Sequence, residues 1–157
     1  MKYLGRCLSF LLPSKPLPEL KLVVQQAFVN GSFVAPNAWY RAEGWIPGGV
    51  SRVCKLSFGV SPLLDRIYVD ELAVKAGHLR KGYASAILLA VAQHASPAGT
   101  LLPVTALHEL WTSHGFWDRL RQGRVPGLML TQDLRVGDME KEARRWKGHD
   151  QMGGRAG

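Results

Sequence analysis

The amino-acid sequence predicts an α/β domain with a central mixed, mostly antiparallel sheet flanked by helices. Three observations carry that expectation. Two strand-like runs, residues 50–60 and 66–74, are separated by little more than Ser61-Pro62, a spacing that makes them antiparallel neighbours. A helical stripe follows at Ala84, Ile87, Leu88, Val91, Ala92 and Ala95, spaced i, i+3, i+4, i+7. With 157 residues, 46% hydrophobic and 20% charged, the chain has the length of one compact domain and a globular composition.

Taken in order, residues 3–11 read as a first short strand, and the proline-rich PSKPLP at 13–18 as a stiff turn. Residues 19–28 are expected to form a helix that Asn30-Gly31 ends. Residues 31–50 are rich in Gly, Pro and Trp and suit a folded loop with a short strand around 39–42. After the strand pair and a loop over 75–81 comes the apolar helix, broken by Pro97-Ala98-Gly99. Residues 100–105 read as a strand and 107–113 as a short helix. Residues 115–120 read as the start of another strand, with 128–131 as its candidate partner.

Beyond Gly137, Met139, Ala143 and Trp146 share one face, and Glu140 stands four residues before Arg144. The organisation expected is a domain over 1–136 and a basic extension over 137–157, with a short helix and a disordered tail, QMGGRAG.

Several function classes are excluded. The longest unbroken apolar stretch, residues 86–92, falls far below the roughly 20 residues that span a bilayer. Arg6 interrupts the early apolar run and no cleavage pattern follows, so a cytoplasmic protein is expected rather than a secreted one. Cys7 and Cys54 form no CxxC and read as free thiols rather than a disulfide scaffold. His108-Glu109 begins like HExxH, but Thr112 replaces the second ligand, so no metal is expected. There is no G-x-S-x-G elbow and no GxxxxGK[ST] loop.

The net charge is +8, and residues 1–60 hold seven Lys and Arg against Glu19 and Glu43. A basic face that attracts polyanions, nucleic acid or a phosphorylated cofactor, is therefore expected. Arg119, Arg121, Arg124, Arg144, Arg145 and Lys147 form the cluster that could meet RNA, or simply a solvated basic face.

The chemistry concentrates in residues 68–85, YVDELAVKAGHLRKGYAS, where a strand ends in a basic, glycine-containing loop that opens into the apolar helix. Such a helix start leaves backbone N–H groups unpaired at the positive end of the helix dipole. Gly82 lets a phosphate approach the backbone, Ala84 keeps the first turn small, and Arg80 and Lys81 add charge.

Leu79-Arg80-Lys81-Gly82-Tyr83-Ala84, following Leu72-Ala73-Val74, resembles the acyl-CoA pyrophosphate loop of the GNAT superfamily of N-acetyltransferases, [Q/R]-x-x-G-x-[G/A]. Downstream, Leu110-Trp111-Thr112-Ser113-His114-Gly115-Phe116 is similar to that family's second landmark, a short helix running into a Gly-Phe pair that starts a strand. The resemblance covers residues 50–120. Two departures stand out: Leu79 where Gln or Arg is usual, and Trp111 where many members carry the Tyr that protonates the departing thiolate.

The resemblance implies a GNAT-like fold that binds acetyl-CoA between the strand ending at Val74 and the strand after Pro97. An amine would attack the thioester directly in a ternary complex. The backbone of Leu72, Ala73 and Val74 would orient the acetyl group, and Leu79, Arg80, Lys81, Gly82, Tyr83, Ala84 and Ser85 would hold the pyrophosphate. Asp70 and Glu71 are the candidate bases or binders of a cationic acceptor. Alternation along the strand points them to opposite faces, and pairing with Arg66 or Lys55 is the competing reading. Tyr68 is a core residue or a base; Ser113, His114 and Tyr83 are the candidates for the acid. Trp39 and Trp45 shape the acceptor cleft or pack in the core.

The expected acceptor is a small-molecule or protein amine, and a homodimer is the assembly common in the family. The alternatives are a non-catalytic acyl-CoA or partner-binding GNAT-fold protein, and a toxin that acetylates aminoacyl-tRNA.

Overall fold

A computed structural model describes residues 15–28 and 39–153. The first strand expected from sequence, residues 3–11, lies outside them, as does Cys7. The described chain forms one five-stranded sheet of order β1-β2-β3-β4-β5, with β1 Lys21–Phe28, β2 Trp39–Trp45, β3 Arg52–Val60, β4 Ile67–Val74 and β5 Val104–Ala106. The first three pairings are antiparallel and β4 pairs β5 in parallel, so the sheet is mixed and mostly antiparallel. Three α-helices accompany it: α1 Tyr83–Ala95, α2 His114–Arg121 and α3 Val136–Gly153.

Three sequence expectations are corrected. Residues 21–28 form an edge strand instead of a helix: Leu22 and Val24, two residues apart, pack against the main core, while Gln25 and Gln26 face water. Residues 115–120 are helical instead of extended, because Trp117 and Leu120, three residues apart, are the buried positions of α2. Of the helix expected over 107–113, only a 3₁₀ turn, Trp111–Ser113, is present. Leu130 consequently bridges Val104 of β5 and has no strand at 115–120 to join.

The two faces of the sheet carry different cores. On one, α1 buries Ile87, Leu88, Val91 and Ala92 against Val53, Leu56, Ile67 and Val69, and α2 adds Trp117 and Leu120. Buried here too is Cys54, whose thiol burial pushes up to about 11.

On the other face α3 lays Met139 and Trp146 over Trp39, Tyr68 and Leu107. This helix is 18 residues long and its backbone continues through Gln151–Gly153, where a disordered tail was expected. The expected apolar face of Met139, Ala143 and Trp146 is the one that packs.

A polar network ties α3 down. Tyr68 Oη donates to Glu142 Oε2 at 2.6 Å, and Arg145 donates to Glu142 Oε2 at 2.8 Å and to Asp65 Oδ2 at 2.5 Å. Burial pushes the Asp65 and Glu142 carboxyls up, but Arg145 and the other donors outweigh it and hold both below the usual carboxylate range. Burial, then the adjoining Glu142, pushes Tyr68 up to about 12.

Carboxyls depressed in the folded state contribute stability that is complete above their unfolded pKa, about 4, and is lost as pH falls through the folded values. Acid titration should therefore loosen α3 below about pH 4, read as a change in tryptophan fluorescence that precedes loss of the far-UV helix signal. Arg145→Ala should move that transition to higher pH; an unchanged midpoint would show that the network does not hold the helix.

Candidate active site

The sheet opens where its two parallel strands part. β4 and β5 pair only over Ile67–Val104, Tyr68–Thr105 and Val69–Ala106, and Leu107 N–H adds one last bond to Val69 O at 2.8 Å. The chain then turns away, with His108 N–H bonded to Leu134 O at 3.0 Å, while β4 runs on to Val74. The result is a cleft of about 710 Å³ bordered by β4, the loop into α1, the chain after β5, and α2.

A β-bulge shapes its β4 wall. Ser57 pairs Glu71 and Phe58 pairs Val69, which leaves Asp70 as the extra residue on β4. The bulge resets the alternation: Ile67 and Val69 before it, and Leu72 and Val74 after it, all face the α1 core. Residues on one face of a strand direct their main-chain polar groups to the same flank. Because Val69 O is bonded on the β5 flank, the N–H groups of Leu72 and Val74 point toward the flank that β5 has left.

The loop into α1 supplies the opposite pole. Gly82 is the N-cap of α1, with φ 88°, and no side chain caps the helix. The first intrahelical bond is Ala86 N–H to Gly82 O at 2.9 Å, so the N–H groups of Tyr83, Ala84 and Ser85 have no partner within the helix. Arg80 is also left-handed, with φ 60°. Left-handed residues within a turn gather main-chain N–H groups into an anion-binding concavity, and the helix dipole reinforces it. Leu79, Arg80, Gly82, Tyr83, Ala84 and Ser85 all border the cleft. Lys81 does not; its ammonium donates to Gly77 O at 2.9 Å and braces the loop.

The glycine at 82 is required by its positive φ and by a close neighbour, since an added Cβ would lie 3.0 Å from Pro18 Cδ. Gly82 thus has a packing role that the sequence did not suggest, with Pro18 seated against the loop.

The other candidates separate cleanly. Asp70 borders the cleft. Glu71 does not, and pairs with Lys55 at 2.6 Å on the neighbouring strand, the competing reading for this residue. Tyr68 is fully buried beneath α3 and takes the core reading. Ala73 lies outside the cleft lining, between Leu72 and Val74, which border it.

Ser113 borders the cleft, but its hydroxyl donates to Leu110 O at 2.8 Å. His114 is exposed outside the lining, and Trp111 is 82% exposed. Gly115 and Phe116 lie in the first turn of α2, so the resemblance at the second landmark is one of sequence and not of local structure. Trp39 takes the core reading.

Sequence reasoning missed several residues. His78, His108, Glu109, Phe116, Arg119 and Arg124 all line the cleft. Glu109 is buried and clasped by Arg121, which also donates from Nε to Thr131 O at 2.9 Å. The spacing of Trp117 and Leu120 could have revealed α2 and brought Arg119 and Arg124 to this side; nothing local marks the others.

The basic cluster weighed for RNA does not form one face. Arg121 and Arg145 are engaged in internal ion pairs, and Arg144 pairs with Glu140 across 3.6 Å. Arg119 belongs to α2 on one face of the sheet, and Arg144 and Lys147 to α3 on the other. No protein-family model, curated protein or solved structure matches the chain.

Proposed function

We propose that the chain is an acyltransferase of GNAT type that moves an acetyl group from acetyl-CoA to an amine by direct attack in a ternary complex. The observation that carries this reading is the cleft between parting parallel strands, with an uncapped helix N-terminus on one side and free strand N–H groups on the other. The donor is a long molecule with a diphosphate near one end and a thioester at the other, and each pole of the cleft suits one of them.

Tyr83, Ala84 and Ser85 would offer N–H groups to the diphosphate, with Arg80 adding charge. The N–H groups of Leu72 and Val74 would pair with the amides and carbonyl of the acyl arm, and a donor aimed at that carbonyl stabilises the charge that develops on it. The donor's contribution is an activated acyl group. The departing sulfur resembles a cysteine thiolate, with an ordinary pKa of about 8.5, so it can leave near neutral pH without a side-chain acid. The absence of a tyrosine at Trp111 is then no obstacle.

Calorimetry should register uptake of CoA and of acetyl-CoA, and thiol release from acetyl-CoA should depend on an added amine from a panel of alkyl amines, amino acids and peptides. Well-folded protein that takes up neither ligand would end the assignment. A second reading, a CoA-binding module without turnover, draws on the exposed Trp111 and the engaged Ser113 hydroxyl; it predicts uptake with no thiol release on any amine.

A further inference from the structure

Among the described residues three non-glycine residues have positive φ, and two of them, Arg80 and His108, line the cleft. A left-handed backbone outside glycine is uncommon, persists only where the surroundings over-determine it, and gathers at functional sites. Arg80 belongs to the anion cradle. His108, with φ 52°, does not.

Its surroundings are explicit. Leu107 N–H is bonded to Val69 O at 2.8 Å on one side, and His108 N–H to Leu134 O at 3.0 Å on the other, so the main chain changes partner at this residue. Asp70 holds the matching place on β4: it is the bulge residue, one position beyond Val69, the last β4 residue tied to β5. Both residues border the cleft, and neither side chain has a hydrogen bond or ion pair among the described residues. The adjoining carboxylates are spent, Glu71 on Lys55 and Glu109 on Arg121.

We propose that His108 is the proton acceptor of the cleft, taking a proton from the ammonium group of the acceptor, and that Asp70 draws that cation to it. The proposal rests on the acyl-transfer reading and supplies the base that reading lacks. Imidazole is the side chain whose ordinary titration range lies near neutral pH, where a base must be free to accept and able to release.

The step balances. His108 takes one proton from the ammonium, which frees the nitrogen lone pair to bond with the thioester carbonyl carbon. The carbon–sulfur bond breaks with its electron pair leaving on sulfur, and the second proton shed by nitrogen goes to the thiolate. His108 returns its proton to water. The other charged or titratable groups bordering the cleft are His78 and Arg80 in the loop, Tyr83 at the start of α1, Glu109 beside His108, Arg119 on α2 and Arg124 after it. Asp70, whose carboxylate has no partner among the described residues, attracts the approaching cation.

The test uses His108→Asn, which removes the titrating ring yet suits a left-handed backbone, and Asp70→Asn. In the whole protein, the His108 ring resonance should shift when butylammonium is added to the CoA-saturated wild type, and Asp70→Asn should weaken that response. With the best amine of the panel, His108→Asn should lower kcat/KM at pH 7 about 100-fold and erase the imidazole inflection of the pH profile, with CoA affinity within about twofold. A ring resonance unmoved by butylammonium, or His108→Asn with the wild-type rate and profile, overturns the proton role while acyl transfer stands. Wild-type protein that takes up no CoA overturns both.

Discussion

Gly82→Glu should abolish CoA uptake. The substitution acts in three ways at one position: it places a side chain on a backbone with φ 88°, drives a Cβ to within 3.0 Å of Pro18 Cδ, and sets a carboxylate at the mouth of an anion cradle. Two or three charge-assisted hydrogen bonds, about 1.5–3 kcal/mol each, are at stake, so affinity should fall by roughly 100-fold or more. Calorimetry on protein whose circular dichroism matches wild type reads the effect. Gly82→Ala separates the causes: it keeps the strain and the crowding without the charge, and should lose less affinity. If the glutamate variant binds CoA as the parent does, the cradle is not where the diphosphate sits.

Arg121→Ala should be the most destabilising single change near the cleft. Glu109 is 7% exposed and depends on Arg121 for its counter-charge, and the same guanidinium holds Thr131 O. Removing the cation strands a buried carboxylate, which costs about 3–5 kcal/mol. For a domain of this size that lowers the melting temperature by about 10 °C or more. The double variant Glu109→Gln with Arg121→Met should recover most of the loss, because neither remaining group needs a counter-ion. If the single variant melts with the wild type, the pair is ornamental, and Glu109 is free to take part in the chemistry of the cleft.

What could be read ahead from the residues was the part in which local pattern and tertiary environment agree. The stripe from Ala84 to Ala95 is helical and buried as its spacing requires, and the β3–β4 pairing follows from two apolar runs joined at Ser61-Pro62. Residues 21–28 misled because LVV flanked by polar residues fits a helix face as readily as an edge strand; pairing with β2 decides it, and that partner is remote in sequence.

The segment at 115–120 misled because Phe116 and Trp117 favour strands, whereas burial at every third position made it a helix. In the cleft, the cradle was legible because a glycine at a helix start is a local signal. His108 was not, because its importance comes from a change of hydrogen-bonding partner between Val69 and Leu134, which no run of neighbouring residues encodes.

On the acyl-transfer reading proposed above, the cleft would hold an activated thioester close to a sulfur nucleophile of the protein's own. Cys54 pairs with Val74 across β3 and β4, its Sγ lies 3.9 Å from the Tyr83 carbonyl oxygen, and it is 2% exposed. Transthioesterification needs a thiolate and an open trajectory, and this side chain offers neither: its pKa is pushed up to about 11 and the first turn of α1 lies over it. On that reading, the same packing that supports the cradle would spare the protein from acylating itself at Cys54.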